Sequence, residues 1–575
     1  MTRWQLCIGV MIGTWGLLGN GLHASVATDA LGGPRDQDKT GKGSVSFTIS
    51  SQHTSRISPW IYGANAVGTF KGFDKSLNLT FYRLGGNRLS AYNWENNLSH
   101  AGSDYRYQND TWLCGQYGAD CSQPGGVVKA FGERAFGLAD GILVTVPNLS
   151  YVAKTSSDGD VCQTKPTKTA ECPNRKHLQT LFVQSKANKG KKLSLKPNLK
   201  DDAVYQDEFV HWTRQAFAGA LKAGKAMFYS MDNEPALWGI THNRIRPYGE
   251  YCKHNPTYPE VLQRNIEYAT AVKKQTQALV FGPAHYGWMS LMTLQNFAAC
   301  TGHEKTPFYE FYLQGLQKAR KQNGGQHLVD VWDLHWYPEA RTQGKGGARI
   351  TSDKVDEKIS RVRVQAPRSL WDPNFNEGSW ITEDSLKGDS LRLIPRLRAW
   401  VAKYNPGMGL AITEYTFGGE HHISGGIAQA DALGIYGREG LFAATFWPLA
   451  QQAKGSAYIK GAFRMYRNYD GQGGTFGDVA VSAVSDSISR ASVYASTFAA
   501  NPKRLVVVAI NKTASPLPAE IKIQHRHRPA KAKAYVLSAK SAKPAAGGPV
   551  KLKKSGEVAY KMPPLSVSTL VFEAP

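Results

Sequence analysis

Long apolar runs are what this 575-residue sequence most conspicuously lacks. A membrane-spanning helix needs about 20 consecutive apolar residues, and past the N-terminus no stretch approaches that. Cys-x-x-Cys spacing is absent, which removes the support for a zinc finger or ribbon. No glycine-rich phosphate loop follows an early strand, as a doubly wound nucleotide-binding sheet would require. Heptads and internal repeats are missing too, so coiled coils and solenoids drop out. There is no EF-hand-like loop. Asp158-Gly159-Asp160 is the nearest approach to one and is too short to argue for calcium, although a structural calcium is compatible with the chain. Acidic residues are scarce, at 45 against 69 Lys and Arg, giving a net charge of +24 and a pI near 9.5. Such a balance suits an anionic partner. Nucleic acid rests on charge alone, because no recognition helix or RNP-type aromatic set accompanies it.

The N-terminus is built like a secretory signal. Arg3 precedes the mostly apolar Trp4–Gly19, and Ser25-Val26-Ala27 offers small residues for cleavage. Residues 1–27 are therefore expected to be a signal peptide and 28–43, polar and glycine-rich, a flexible leader. The mature protein would be secreted, extracellular or periplasmic. Six cysteines remain beyond Cys7: Cys114, Cys121, Cys162, Cys172, Cys252 and Cys300. In an oxidising compartment they would pair. Sequence neighbours (Cys114–Cys121, Cys162–Cys172, Cys252–Cys300) are the expected partners, since each bridge would staple a loop.

Eight short apolar runs follow one another along the chain: Ile61–Ala66, Leu79–Leu84, Gly141–Val146, Ala226–Met231, Ala278–Phe281, Val329–His335, Gly409–Thr413 and Phe442–Trp447. Segments with helical spacing lie between several of them. Asp207–Leu221 places Phe209, Trp212, Ala216 and Ala220 on one face, and Leu262–Val272, Phe308–Leu316, Leu393–Val401 and Ala428–Leu441 read similarly. Buried strands alternating with helices predict a parallel sheet, and eight of them predict an α/β (β/α)₈ barrel over residues 61–465. From about Arg467 helical spacing gives way to β-branched alternation, as in Arg504–Ile510 and Val567–Phe572. Residues 466–575 thus read as an antiparallel β-sandwich. They carry 16 Lys and Arg against 6 Asp and Glu. That is either a solvated basic face or a surface for anionic contact.

Two runs end in a carboxylate. Ala226–Met231 leads into Asp232-Asn233-Glu234-Pro235, where proline stops the ladder, and Gly409–Thr413 leads into Glu414. Barrel active sites sit at the C-terminal ends of the strands. Glycosidases need one carboxyl to protonate the leaving oxygen and another across the sugar carbon. Glu234 after the fourth strand and Glu414 after the seventh are the candidate pair; holding loops in place is the simpler role for either alone.

Several stretches resemble glycoside hydrolase family 44, the endoglucanase and xyloglucanase family. They are Ile57–Asn65 (ISPWIYGAN), Arg83–Asn93 (RLGGNRLSAYN), Ala101–Asp104 (AGSD), Met231–Trp238 (MDNEPALW), Asp333–Ala340 (DLHWYPEA), Leu370–Pro373 (LWDP) and Ile412–Tyr415 (ITEY). The ordered agreement spans residues 44 to 450. The resemblance implies a TIM barrel with a β-sandwich built from both chain ends, so that residues 44–60 supply a strand to it. It implies a retaining endo-β-1,4-glycanase acting on a glucan polysaccharide such as xyloglucan, with Glu234 as acid/base and Glu414 as nucleophile. No organic cofactor is expected. Neighbouring residues suggest further roles: Asn233 on the sugar 2-hydroxyl, Arg83 keeping Glu414 ionised, His335 and Tyr337 orienting the nucleophile or binding hydroxyls, and Trp447 as the stacking floor. Trp336 reads as packing, whereas Trp94 and Trp238 could equally line distant sugar positions or pack in the core or rim. Leu84 before Gly-Gly, Thr416-Phe417 and the cysteine-bearing loops depart from the family pattern and bear on which polymer is cut. Another β-linked polymer (mannan or an acidic matrix polysaccharide) and a non-catalytic carbohydrate-binding protein are the alternatives. A monomer is expected.

Overall fold

The computed structural model describes residues 43–575 apart from 68–72, 163–171, 173–174, 247–253, 296–301, 304, 450–454, 526 and 554–556. The expected signal, nearly all of the leader and the Cys252–Cys300 bridge lie outside the described residues. The other two expected bridges, Cys114–Cys121 and Cys162–Cys172, are formed. Among the described residues no helix is long and apolar enough to cross a membrane.

The eight apolar runs form a closed parallel barrel. Its strands are Gly63–Asn65, Phe81–Leu84, Gly141–Val146, Ala226–Met231, Val280–His285, Val331–Trp336, Gly409–Tyr415 and Ala443–Phe446. Each is buried on both faces, inside by its neighbours across the barrel and outside by helices, which is why the runs read as continuously apolar. The floor is a plug of Phe81, Leu143, Phe228, Phe281, Val331, Ala411 and Ala443, with Trp60 against Phe81 and Phe228. Two residues further along the same strands the inward positions turn polar: Arg83, Thr145, Asp333, Thr413 and Thr445. Strand periodicity therefore stacks a polar layer on an apolar base, beneath the C-terminal mouth.

The helix expected over Asp207–Leu221 is broken at Phe217 into Gln206–Ala216 and Ala218–Lys222. Its buried face runs through Phe209, Val210, Thr213 and Phe217, while Ala216 is exposed. The bulky Phe217 takes the inward position from the two alanines, since burying an aromatic ring removes far more apolar surface from water.

The second domain is a ten-stranded sheet folded on itself. Val45–Arg56 lies inside it, antiparallel to Val479–Ser485 and parallel to Leu517–Gln524. The strand Arg504–Asn511 serves two cores. Leu505, Val507 and Ala509 face the sandwich interior, and Val506, Val508 and Ile510 join the barrel's core. The domains also share an ion pair. Lys512 Nζ lies 2.8 Å from Asp431 Oδ2 on the helix Ile423–Arg438, both side chains are excluded from water, and Tyr494 Oη donates to Asp431 Oδ1 at 2.7 Å. Removing one member of a buried pair strands the other. Lys512→Ala is therefore expected to lose about 3–5 kcal/mol in denaturant titration, and the double change Asp431→Leu/Lys512→Met to recover most of that loss.

Candidate active site

Glu234 and Glu414 meet at the mouth of the barrel. Each offers a carboxylate oxygen, and His335 a ring nitrogen, with these atoms all within 4.8 Å of one another. Both glutamates are buried, at 7% and 5% exposure.

Glu234 is presented by a tight turn. After the fourth strand, Asp232 and Glu234 both adopt left-handed backbone, with φ of 65° and 45°, a conformation that non-glycine residues hold only when their surroundings enforce it. Asp232 does the enforcing. Its carboxylate accepts the backbone N–H of Asn148 at 2.6 Å, that of Asn233 at 2.7 Å and the indole N–H of Trp238 at 3.2 Å. Pro235 then opens a short 3₁₀ turn with its φ already set.

Glu414 is presented by a slip in register. Leu334 pairs with Ile412, but His335 pairs with Glu414, and the strand on the other side shows the same one-residue excess. Because side chains alternate along a strand, Ala411 and Thr413 facing inward would send Glu414 outward to the helices. The extra residue turns it into the barrel.

The two carboxyls have unequal neighbours. Arg83 Nη1 donates to Glu414 Oε1 at 2.7 Å, and Tyr337 Oη donates to Glu414 Oε2 at 2.8 Å. Glu234 Oε1 is hydrogen-bonded to His335 Nδ1 at 2.7 Å, which lies 3.4 Å from Glu414 Oε2. Burial pushes the Glu234 carboxyl well above the ordinary value, and the Glu414 charge adds to the rise. Burial raises Glu414 as well, but the charge and hydrogen bond of Arg83 and the Tyr337 hydroxyl oppose it. Burial, then Arg83 and His285, holds His335 well below the ordinary imidazole value, so its ring is neutral. These neighbours favour the proton on Glu234 and the charge on Glu414.

Asn233 Oδ1 accepts from Arg83 Nη2 at 2.7 Å and from the Gly86 N–H at 3.2 Å, while its Nδ2 donates to Asn87 Oδ1 at 3.2 Å. Trp447 is half-buried with its ring edge against Gly86, where φ is +98° and a Cβ would lie 2.7 Å from the indole. Arg83, Asn233, His335 and Tyr337 therefore converge on the two glutamates, and Trp447 borders them. Trp94 and Trp238 do not line the cleft. Each is 1% exposed, Trp94 packing on Phe209 and Trp212 and Trp238 tied to Asp232. The Asp158-Gly159-Asp160 run offers no open calcium cradle either, because Arg244 takes both oxygens of Asp160 at 3.1 and 2.7 Å.

Sequence reasoning missed Asn65, Asn87, Asp333 and Thr413. For Asn65, Asp333 and Thr413 the available signal was a polar residue at an inward position of an otherwise apolar strand, a placement that costs free energy unless a partner is waiting.

A parallel barrel with paired carboxylates at the ends of its fourth and seventh strands defines a barrel glycosidase. The comparisons refine that class. The model of glycoside hydrolase family 44 matches residues 98–340. A Paenibacillus polymyxa xyloglucanase of that family, solved with xyloglucan, superposes with a TM-score of 0.82 at 34% identity, covering 92% of this chain and 100% of that one. Endoglucanase A of Paenibacillus lautus is 38% identical over 476 residues, 81% of this chain. The beta-mannanase/endoglucanase A of Caldicellulosiruptor saccharolyticus is 36% identical over 489 residues, again 81% of this chain. The chain spans 64% and 34% of the lengths of these two curated relatives. It belongs to glycoside hydrolase family 44.

Gly85 makes room for Arg83, since a Cβ there would lie 2.2 Å from the guanidinium carbon. Gly85→Ala is expected to push Arg83 off Glu414 and to lower kcat/KM on a soluble β-glucan roughly 100-fold, with an unchanged far-ultraviolet circular dichroism spectrum.

Proposed function

We propose that the protein is a secreted retaining endo-β-1,4-glycanase that cuts β-glucan backbones, xyloglucan or a soluble cellulose-type glucan, by double displacement. One observation carries this reading: carboxylate oxygens of Glu234 and Glu414 approach within 4.8 Å. Retaining pairs sit roughly 5–5.5 Å apart, whereas inverting pairs leave about 6.5–9.5 Å for a water between them. The substrate class is supported by the relatives, which are described as an endoglucanase, a beta-mannanase/endoglucanase and a xyloglucanase.

In the proposed cycle Glu414, ionised beside Arg83, attacks the anomeric carbon while Glu234 gives its proton to the departing glycosidic oxygen. Glu234 then takes a proton from the water that cleaves the glycosyl ester and returns Glu414 as carboxylate. Asn233 meets the 2-hydroxyl in this cycle, a contact that strengthens as the ring flattens. Neutral His335 orients Glu234, Tyr337 orients Glu414, and Trp447 forms the floor under the reacting sugar. The two disulfides suit an oxidising compartment, in keeping with export. Exposed Lys531, Lys533, Lys543 and Lys551 lie on or beside the outermost strands of the folded sheet. We assign them to protecting open edges from strand addition rather than to docking on an anionic surface.

Proton NMR of the first product released from a soluble cello-oligosaccharide is expected to show the β-anomer; the α-anomer would refute the retaining assignment. Glu234→Gln should lower kcat/KM on natural substrate roughly 10²–10⁴-fold yet largely spare kcat/KM for a dinitrophenyl glycoside, whose leaving group needs no acid. Steady-state turnover of that glycoside should fall, because the base for ester hydrolysis is gone. Reducing-end assays on xyloglucan, carboxymethylcellulose, mannan and polygalacturonate identify the polymer, with the first two expected to react fastest. The bell-shaped pH profile of kcat/KM should have its acid limb set by Glu414 and its alkaline limb by Glu234, as macroscopic values of the pair. Tyr337→Phe removes a donor that favours the ionised form of Glu414, so the acid limb is expected to move to higher pH.

A further inference from the structure

Glu414 faces inward only because the seventh strand carries one residue more than its neighbours. An extra residue of this kind is left out of the ladder, so backbone pairing alone does not fix its direction. Side chains from the polar layer do so. Thr413 Oγ1 donates to Asp333 Oδ1 and Oδ2 at 2.8 and 2.7 Å, and the Thr413 carbonyl accepts from Thr445 Oγ1. The same carbonyl accepts from Asn65 Nδ2 at 3.0 Å.

Asn65 is fully buried at the end of the first strand. Its Oδ1 accepts from Arg83 Nη1 at 3.2 Å, the nitrogen that donates to Glu414 Oε1. One amide thus grips the backbone immediately before Glu414 with its donor and the guanidinium facing Glu414 with its acceptor. Both halves of the amide are needed. An ionised carboxylate would lose the donor and compete for Arg83, and an alkyl side chain would lose both contacts.

We propose that Asn65 is a positioning residue for the glycosylation step, locking the displaced strand and Arg83 into one unit so that Glu414 is held in line for attack. It acts through Glu414 and Arg83, not on the sugar. The proposal rests on the assignment of Glu414 as nucleophile, and the test separates the two.

The probe is a 2-deoxy-2-fluoro cello-oligosaccharyl fluoride. In its reaction a Glu414 oxygen bonds to the anomeric carbon as the carbon–fluorine bond breaks and fluoride leaves with the electron pair, without need of an acid. Wild-type protein is expected to be labelled at Glu414, located by peptide mass spectrometry. Asn65→Ala should be labelled at the same residue roughly 10–100-fold more slowly per folded molecule. The acid limb of kcat/KM should move to higher pH in Asn65→Ala, because Arg83 would no longer be held against Glu414. Asn65→Ser, which keeps a smaller polar group, extends the measurement should the alanine variant fail to fold. A lowered thermal midpoint with labelling rate and pH profile unchanged would reduce Asn65 to a structural role and overturn the proposal. Wild-type label on a residue other than Glu414 would instead overturn the nucleophile assignment beneath it.

Discussion

The mouth of the barrel depends on one guanidinium held out of water. The Arg83 side chain has no solvent exposure, and an unpaired charge in such a place would cost several kcal/mol. Its surroundings are arranged to prevent that. Glu414 supplies the opposite charge, Asn65 and Asn233 supply amide oxygens, and Gly85 supplies the space. Because the guanidinium lies against Glu414 and not Glu234, two carboxyls sharing one cavity are made unlike. The asymmetry begins in the strand pattern. Phe81 fills the plug and Arg83, two residues later, enters the polar layer above it, so a period of two puts the cation above the plug and beneath the carboxylates.

Much of this was legible in the sequence. Strands buried on both faces leave continuous apolar runs, and all eight could be read, with boundaries off by up to two residues at seven of them and by four at the end of Val280–His285, where the register bends. The glutamates were legible because a carboxylate closing an apolar run is costly unless it has work to do. The direction of Glu414 was not legible. Strict alternation sends it outward, and the extra residue that turns it in depends on contacts with Asp333, Asn65 and Thr445, far away along the chain. Trp94 and Trp238 stayed open between cleft and core for a related reason: an aromatic beside a site motif reads the same whether its ring lies in the cleft or under it. Trp238 is under it, holding Asp232 and through Asp232 the turn that carries Glu234.

The sandwich gives the catalytic strands their backing. The helix Ile423–Arg438, which follows the seventh strand, is buried on nearly every side, with the barrel on one flank and the sandwich on the other. Gly434 lets the Tyr494 ring lie where a Cβ would come within 2.2 Å. Tyr415, next to Glu414, receives a hydrogen bond at 2.7 Å from Gln429 on that same helix. The seventh strand is therefore braced from outside as well as from within. Val45–Arg56, buried in the middle of the sheet, makes the sandwich depend on both ends of the described chain, so the backing and the barrel fold around a common thread.

The same asymmetry supplies the second half of the proposed cycle. Glu234 holds its proton because it is buried and because Glu414 is negative nearby. When Glu414 becomes a glycosyl ester its charge disappears, and the Coulombic part of the rise in Glu234 disappears with it, while Arg83 continues to favour an anion in the cavity. The proton affinity of Glu234 must therefore fall at the moment it has given its proton away, when the next step needs a base to activate water. Hydrolysis of the ester restores the charge on Glu414 and raises Glu234 again. A pair of carboxyls close enough for retention is close enough for each to set the other's protonation, and one fixed cation decides which of them begins the cycle as the acid.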